Sequence, residues 1–185
     1  QRQMCIRDRR NTAQHVARIR LTPEDLDYIE QYGLCHTSCF SSIEYELPEM
    51  AKRCQVSFDF SERIDPDYLA RVCPYVTYAF FSGSHMTQEE IEALMDRCHA
   101  LGTKVVGVTL GSRGSIFSQE GKRYHQGIVP VEAIDTMGAG DSFIAGFLTR
   151  RILGDGMEDA LRFAATAAAN TCKFHGGFGY PHPLD

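Results

Sequence analysis

The stretch that decides the fold of this chain is "AIDTMGAGDSFIAGF", residues 133–147. Small residues at 138–140 precede Asp141, and the apolar run that follows can form the body of a helix. The first turn of a helix leaves backbone N–H groups unpaired, and small residues let a ligand approach those groups closely. The pattern therefore indicates either an anion site that carries a carboxylate, or a tight turn that Asp141 merely caps.

The two interpretations assign different work to Asp141. A carboxylate beside a bound phosphate repels it, but the same carboxylate can take a proton from a hydroxyl that attacks the phosphorus. Phosphoryl transfer needs chiefly positioning, charge neutralisation and such a base. In the alternative, Asp141 only stabilises the helix dipole, which is worth about 0.3–1 kcal/mol. The motif alone leaves both interpretations open.

Two other kinds of nucleotide site are excluded. The P-loop pattern GxxxxGK[ST] is absent from the sequence. A dinucleotide fingerprint that begins at Gly138 and Gly140 fails because Phe143 occupies the position of its third glycine.

The composition is that of one globular domain. The chain has 185 residues, of which 43% are hydrophobic and 23% charged, so we expect a sizeable core. A formal net charge of -5 without a long basic run argues against a nucleic-acid partner. No apolar segment has membrane-spanning length, so we expect no membrane partner. Seven cysteines without a complete zinc pattern predict free thiols in a cytoplasmic protein.

Helix and strand signals alternate along the chain. Thr22, Asp65 and Thr87 each stand before a predicted helix, with proline or acidic residues in its first turn. Helices 139–153 and 157–174 are predicted to finish the fold. Predicted strands cover 34–40, 55–60, 75–82 and 104–111, and a hairpin spans 116–131 around Glu120–Gly121. This succession predicts an α/β fold with a mostly parallel sheet, helices on both faces, and ligands at the carboxyl ends of the strands.

Three features fall at those strand ends: Asp59, the "TLGSRG" turn at 109–114, and the stretch that contains Asp141. Asp59 can point into a cleft or cap a turn, and nearby Ser61 favours the cap. Arg113 can contact phosphate, although exposed arginines in turns are common. The alanine-rich segment 164–169 is more typical of a close-packed helix face than of a binding element.

The sequence resembles the PfkB, or ribokinase-like, family of carbohydrate kinases. "DTMGAGD" (135–141) matches the family's DTxGAGD signature at every position, and "TLGSRGS" (109–115) resembles its T-x-G-x-x-G turn, which borders the nucleotide. The resemblance is strongest to the fructoselysine 6-kinase branch, through "FDFS" (58–61), "YAFFS" (78–82) and the run 164–179. It implies a ribokinase-like three-layer α/β sandwich.

The resemblance also implies an activity. We expect ATP-dependent phosphorylation of a primary hydroxyl on a sugar or a glycated amino acid, with Mg²⁺ on the phosphates and K⁺ as a further cation. Alternatives are a fructokinase, a 2-keto-3-deoxygluconate kinase, or an inactive nucleotide-binding fragment.

Site residues follow from the resemblance by position. Asp141 is the expected general base, and Gly138, Ala139 and Gly140 form the expected anion hole. Thr109, Gly111 and Gly114 are expected to line the ATP site, Thr166 and Asn170 to contact adenine, and Asp135 to hold a monovalent cation.

Two departures from the family pattern affect these expectations. Ser82–His85 stands where the family's N-x-x-E motif, tied to Mg²⁺, is expected. The family's N-terminal part and lid, which grip the sugar, have no counterpart here. We therefore expect that 11–185 is the C-terminal part of a kinase domain, inactive alone, that 1–10 is adapter-like non-native sequence, and that a homodimer forms through the missing lid. The identity of the sugar depends on the missing part.

Overall fold

The computed structural model describes residues 19–177. They contain a six-stranded, mostly parallel sheet with the strands in chain order, which confirms the predicted sheet. The strands are β1 (Leu34–Ser38), β2 (Gln55–Ser61), β3 (Tyr78–Ser82), β4 (Val105–Thr109), β5 (Ser115–Gln119) and β6 (Lys122–Gln126). The helices are α1 (Pro23–Glu30), α2 (Leu47–Arg53), α3 (Pro66–Val72), α4 (Gln88–Ala100), α5 (Ala139–Ile152) and α6 (Met157–Thr171). The predicted adapter-like sequence, 1–10, lies outside the described residues.

The chain divides into two compact units. Among the described residues, the first unit holds 19–81 and 92–106, and the second holds 82–91 and 107–177.

Aromatic side chains fill the core of the first unit. β1 pairs with β2, and β2 with β3, in parallel. The rings of Phe60 and Phe81 stack with their centroids 4.6 Å apart, and the Phe58 ring lies 4.7 Å from that of Phe60. All three are at most 1% exposed. Burial of large, stiff side chains on a pleated surface explains why these segments form strands.

The predicted helix starts are confirmed, because each depends on a cap that is local in the sequence. Thr22 and Asp25 form a capping box, in which the N–H of Thr22 donates to Asp25 Oδ2 at 2.8 Å. Asp65 Oδ1 accepts the N–H of Tyr68 at 2.9 Å. Thr87 Oγ1 accepts the N–H of Glu90 in the same manner.

Several element ends differ from prediction. β3 begins at Tyr78 rather than at 75, because Cys73–Tyr75 form a 3₁₀ turn that contains Pro74. β4 ends at Thr109, because the glycine-rich segment after it turns at once. The last helix ends at Thr171 instead of Phe174.

In the second unit, the predicted hairpin is confirmed. β5 and β6 are antiparallel, with Gln119 opposite Lys122. Glu120 and Gly121, the two residues between them, have φ values of 52° and 75°. Two consecutive residues with positive φ give the tight turn whose twist matches that of paired strands.

Two close contacts define the packing of the second unit. Phe117 of β5 is fully buried, and its ring centroid lies 4.8 Å from that of Phe147 on α5. Gly107 on β4 leaves room for the Phe117 ring, because a Cβ at position 107 would lie 2.4 Å from that ring. Between α5 and α6, a Cβ on Gly146 would lie 3.2 Å from that of Ala167. Ala164, Ala165 and Ala169 are buried, which confirms that 164–169 forms a close-packed helix face.

The cysteines in the described part of the chain are free thiols: Cys35, Cys39, Cys54, Cys73, Cys98 and Cys172. Cys5 lies outside that part. None of the helices described for this chain combines the length and the apolar character that crossing a membrane requires.

Candidate active site

The loop that leads into α5 is held by the carboxylate of Asp135. This side chain is 6% exposed. Its Oδ2 accepts the N–H of Gly176 at 2.9 Å, and its Oδ1 accepts the N–H of Met137 at 3.0 Å. These hydrogen bonds, with the nearby charge of His175, hold the pKa of Asp135 below its usual range. Asp135 is therefore ionised at neutral pH and ties together two backbone segments.

The same loop rests on the end of α6. The carbonyl of Cys172 accepts the N–H groups of Ile134 and Asp135, at 2.8 Å and 3.2 Å. Gly138 and Gly177 approach each other backbone to backbone: a Cβ on Gly138 would lie 3.6 Å from the Cα of Gly177. Both have left-handed backbone, with φ values of 73° and 81°. Glycine at both positions permits this conformation at such close approach.

The N-terminus of α5 presents open backbone donors. The N–H of Ser142 donates to the carbonyl of Gly138 at 2.9 Å, and that of Ala139 makes a longer contact of 3.3 Å to the Thr136 carbonyl. Within 19–177, the N–H groups of Gly138, Gly140 and Asp141 have no hydrogen-bond partner. The positive end of the helix dipole adds to these donors, so the turn suits an anion.

Asp141 lies in the same turn, as the third residue of α5, and is exposed. Its carboxylate makes no hydrogen bond or ion pair with any other residue that the structure describes. The N-cap position belongs to Gly138, which has no side chain to cap with. The arrangement leaves the carboxylate accessible, as a base for a substrate hydroxyl must be.

A pair of hydroxyl groups braces this turn, and sequence reasoning missed it. The hydroxyls of Thr171 and Ser142 are hydrogen-bonded at 2.6 Å, which joins the first turn of α5 to the end of α6. The two residues are 29 positions apart, so no local sequence pattern predicts the contact.

The "TLGSRG" turn is shaped by its second glycine. The carbonyl of Gly114 accepts the N–H of Leu110 at 2.7 Å, which closes the turn after Thr109. Gly114 has φ of 87°, and a Cβ there would lie 2.1 Å from the Gln126 carbonyl oxygen. Gly111, the first glycine, also has positive φ, at 60°. The turn therefore requires Gly114 for packing, whatever ligand it borders.

Arg113 does not extend freely from this turn. Its guanidinium donates to the carbonyls of Ser84 at 2.9 Å and Met86 at 3.4 Å. These contacts, both made by Nη2, fasten the turn to the segment after β3.

Ser115, directly after the turn, was not expected to be a site residue. Its hydroxyl is buried, with the residue 3% exposed, and is one of two buried side-chain atoms in the described range without a hydrogen-bond partner. A buried unpaired hydroxyl costs about 1–3 kcal/mol. The hydroxyl is closed off from solvent in this structure, so it is not an open site for a ligand.

Thr166 and Asn170, the residues expected to contact adenine, are exposed one turn apart on α6. The Thr166 hydroxyl donates to the Arg162 carbonyl at 3.0 Å, and Asn170 Oδ1 accepts from Lys173 Nζ at 3.0 Å. The adenine contact stays a prediction.

Asp59, in the first unit, caps a turn. Its Oδ1 accepts the N–H of Ser61 at 2.8 Å, beside a β-bulge in which Ser61 has φ of 54°. The capping interpretation of Asp59 is therefore confirmed.

Carboxylates do not assemble into a metal centre in the described residues, where no three side chains of His, Cys, Asp or Glu are grouped to hold an ion. Glu90, downstream of the missing N-x-x-E motif, accepts the N–H of Thr87 at 2.8 Å and so caps α4.

Comparison with known proteins gives consistent matches. The model of the pfkB family of carbohydrate kinases matches residues 12–181. The fructosamine kinase of Bacillus subtilis (strain 168) is 46% identical over 178 residues, which are 96% of this chain and 63% of that protein. The fructoselysine 6-kinase of Escherichia coli (strain K12) is 35% identical over 159 residues, 85% of this chain and 60% of that protein.

The structure of Arabidopsis thaliana ribokinase complexed with ribose and ATP is also similar, with a TM-score of 0.73 and 27% identity. The match covers 84% of this chain and 55% of that one. The predicted ribokinase-like α/β fold and the resemblance to fructoselysine 6-kinases are thereby confirmed. The chain spans about 60% of the length of these two curated relatives. The expected dimer stays a prediction.

Replacing Asp135 by asparagine should lower the stability of the fold at neutral pH. Asparagine offers an amide N–H₂ to one of the two backbone N–H groups, so one hydrogen bond becomes a donor–donor conflict. A lowered folded-state pKa contributes stability above the unfolded-state pKa of about 4, and this contribution is lost as pH falls through the folded value. Urea unfolding between pH 7 and pH 3 should show a gap between wild type and Asp135→Asn that narrows below about pH 4.

The exposed Glu132→Gln variant is the matched control, because it removes a nearby carboxylate that accepts neither amide. A gap for Asp135→Asn as wide at pH 3 as at pH 7 would contradict the role given to the ionised carboxylate.

Proposed function

This chain belongs to the pfkB family of carbohydrate kinases, and we propose that the full-length protein transfers the γ-phosphoryl group of ATP to a primary hydroxyl of a sugar or a glycated amino acid. One observation carries the proposal: the N–H groups of Gly138, Gly140 and Asp141 are open, and the Asp141 carboxylate is unpaired in the same helical turn. A phosphoryl group and an attacking hydroxyl have complementary partners there.

The proposed reaction exchanges one phosphorus–oxygen bond for another. The substrate oxygen bonds to the γ-phosphorus, the bond from that phosphorus to the β,γ-bridging oxygen breaks, and ADP leaves with the bridging oxygen. The hydroxyl proton passes to the Asp141 carboxylate. The base makes the nucleophile more reactive, and such positioned bases contribute about 10²–10⁴ in rate.

The open N–H groups stabilise the transferring phosphoryl group. Negative charge on its oxygens is met by fixed donors and by the positive end of α5, which need no rearrangement during the reaction. Donors of this kind are each worth about 10²–10³ in rate. Gly138 and Gly140 supply such donors, and the Ala139 N–H can join them by giving up its long contact to Thr136.

ATP is proposed to lie along the "TLGSRG" turn. Thr109, Gly111 and Gly114 border it by family resemblance. Thr166 and Asn170 are the proposed adenine contacts.

Two cations complete the proposal. Mg²⁺, when bound, neutralises phosphate charge; because the described residues form no carboxylate cluster, the phosphates themselves would be its main ligands. Asp135 is the proposed ligand of K⁺, since each of its oxygens accepts a single amide hydrogen bond and retains a further lone pair.

The acceptor we propose is fructoselysine or a similar glycated amine. The names of the two curated relatives support this choice over fructose or 2-keto-3-deoxygluconate. ADP release by the full-length protein should be measured with fructoselysine, fructose, ribose and 2-keto-3-deoxygluconate, and we expect the highest kcat/KM with fructoselysine. ATP binding without turnover on any acceptor would instead favour a nucleotide-binding module.

Replacing Asp141 by asparagine should lower kcat by about 10²–10⁴ while KM for ATP changes little, because only the proton acceptor is lost. Steady-state ADP release measures both constants. Asp159→Asn is the matched control, as it removes an exposed carboxylate from the first turn of α6. Equal kcat in wild type and Asp141→Asn would exclude the base assignment.

Removing one open N–H should test the anion hole separately. Gly140→Pro deletes that donor in a first turn that tolerates proline, as the second residue of α2 is Pro48. We expect kcat to fall by about 10²–10³. Gly140→Ala keeps the donor and has space for its Cβ, so its kcat should stay near that of wild type. If the two variants match in kcat while both unfold at the wild-type temperature, the donor is not used.

A further inference from the structure

A cavity in the first unit lies outside the residues discussed so far. It measures about 430 Å³ and occupies the surface around α3 and the segment before it. Its lining includes Glu62, Arg63, Ile64, Asp67, Tyr68 and Arg71. Charged side chains of both signs therefore line the cavity beside Ile64 and Tyr68.

Tyr68 gives the cavity a fixed wall. The residue is 7% exposed, its hydroxyl donates to Glu44 Oε1 at 2.8 Å, and its ring meets that of Phe60 edge-on. The guanidinium carbons of Arg63 and Arg71 lie 5.4 Å and 5.2 Å from the ring centroid. Cation–π attraction holds both arginines near the same ring.

The charges around the cavity do not neutralise one another. Among the described residues, neither Arg63 nor Arg71 forms an ion pair, and the carboxylates of Glu62 and Asp67 accept no hydrogen bond. Asp65, which also lines the cavity, is occupied as the cap of α3. Unpaired groups of opposite sign beside one cavity suit a ligand that carries both charges itself.

We propose that this cavity binds the zwitterionic end of an α-amino acid. The α-carboxylate is received by Arg63 and Arg71, whose planar donors match a carboxylate. The α-ammonium is received by Glu62 and Asp67, and the aliphatic stem lies over Ile64 and Tyr68.

A simple anion is a poorer occupant. Glu62, Asp65 and Asp67 place three carboxylates around the cavity against two guanidiniums, so a phosphate would meet net repulsion. A zwitterion has a partner for each sign.

The ligand has two sources, a free amino acid or the amino-acid end of a glycated lysine. The second source rests on the proposed function, because fructoselysine keeps both α-groups of lysine. Titration calorimetry of the full chain without ATP distinguishes these two sources of the ligand. The probes are fructoselysine, L-lysine, inorganic phosphate and the Nα-acetyl amide of fructoselysine.

We expect fructoselysine to bind. Its Nα-acetyl amide lacks both the α-ammonium and the α-carboxylate charge, and we expect it to bind at least tenfold more weakly. If L-lysine binds as well, the free amino acid is also a ligand of the cavity. If L-lysine does not bind, the cavity is restricted to the glycated amino acid. Arg63→Gln and Arg71→Gln should each weaken fructoselysine binding by roughly fivefold, the scale of an exposed ion pair, and the double variant by more.

Arg97→Gln, an exposed arginine on α4 away from the cavity, is the matched control and should bind like wild type. The inference is overturned if the double variant binds fructoselysine like Arg97→Gln, if the Nα-acetyl amide binds as well as fructoselysine, or if phosphate binds as tightly. Charge-dependent binding without phosphorylation would refute only the kinase proposal. Phosphorylation by a protein whose double variant binds fructoselysine like Arg97→Gln would refute only the cavity proposal.

Discussion

The carboxylate of Asp135 is the constraint on which the candidate active site depends. It accepts one N–H from its own loop and one from Gly176, 41 residues later. Both bonds are made by a charged acceptor that is almost fully buried, and such bonds are stronger than those between neutral groups. They hold the loop that enters α5 through the left-handed Gly138. The open donors of the first turn therefore have a defined place.

The chemistry proposed for this turn depends on backbone N–H groups and a carboxylate that have no hydrogen-bond partner in the described chain. Helix termini ordinarily find caps for their first N–H groups, yet the N-cap here is a glycine without a side chain. Asp141 is an exposed acid whose side chain makes no hydrogen bond or ion pair with another described residue. A side chain that caps the helix would stabilise it more than the glycine at this N-cap does. The open donors and the free carboxylate are therefore better explained by a ligand than by helix stability. The charges beside Tyr68, likewise unpaired, fit one too.

Features that depend on neighbours in the sequence were predictable. Capping by Thr22, Asp65 and Thr87 joins residues three apart, and the turn at Glu120–Gly121 requires only its own two residues. The match to the DTxGAGD signature likewise lies within 135–141. Contacts between distant segments escaped prediction, because no local pattern encodes them. The Ser142–Thr171 hydroxyl pair and the Arg113 contacts to the segment after β3 are of this kind.

The sequence by itself determined the α/β class, the helix starts, and the family through two short motifs, because periodicity, capping and glycine spacing act over a few residues. The tertiary structure alone decided that Gly114 is required by the close approach of Gln126, that Asp59 caps a turn, and that Asp135 joins the α5 loop to Gly176. It also decided which N–H groups stay open around Gly140 and left the Ser115 hydroxyl without a partner. The physical reason is that hydrogen bonding and burial between remote segments depend on how the chain packs, and packing is settled only when those segments meet.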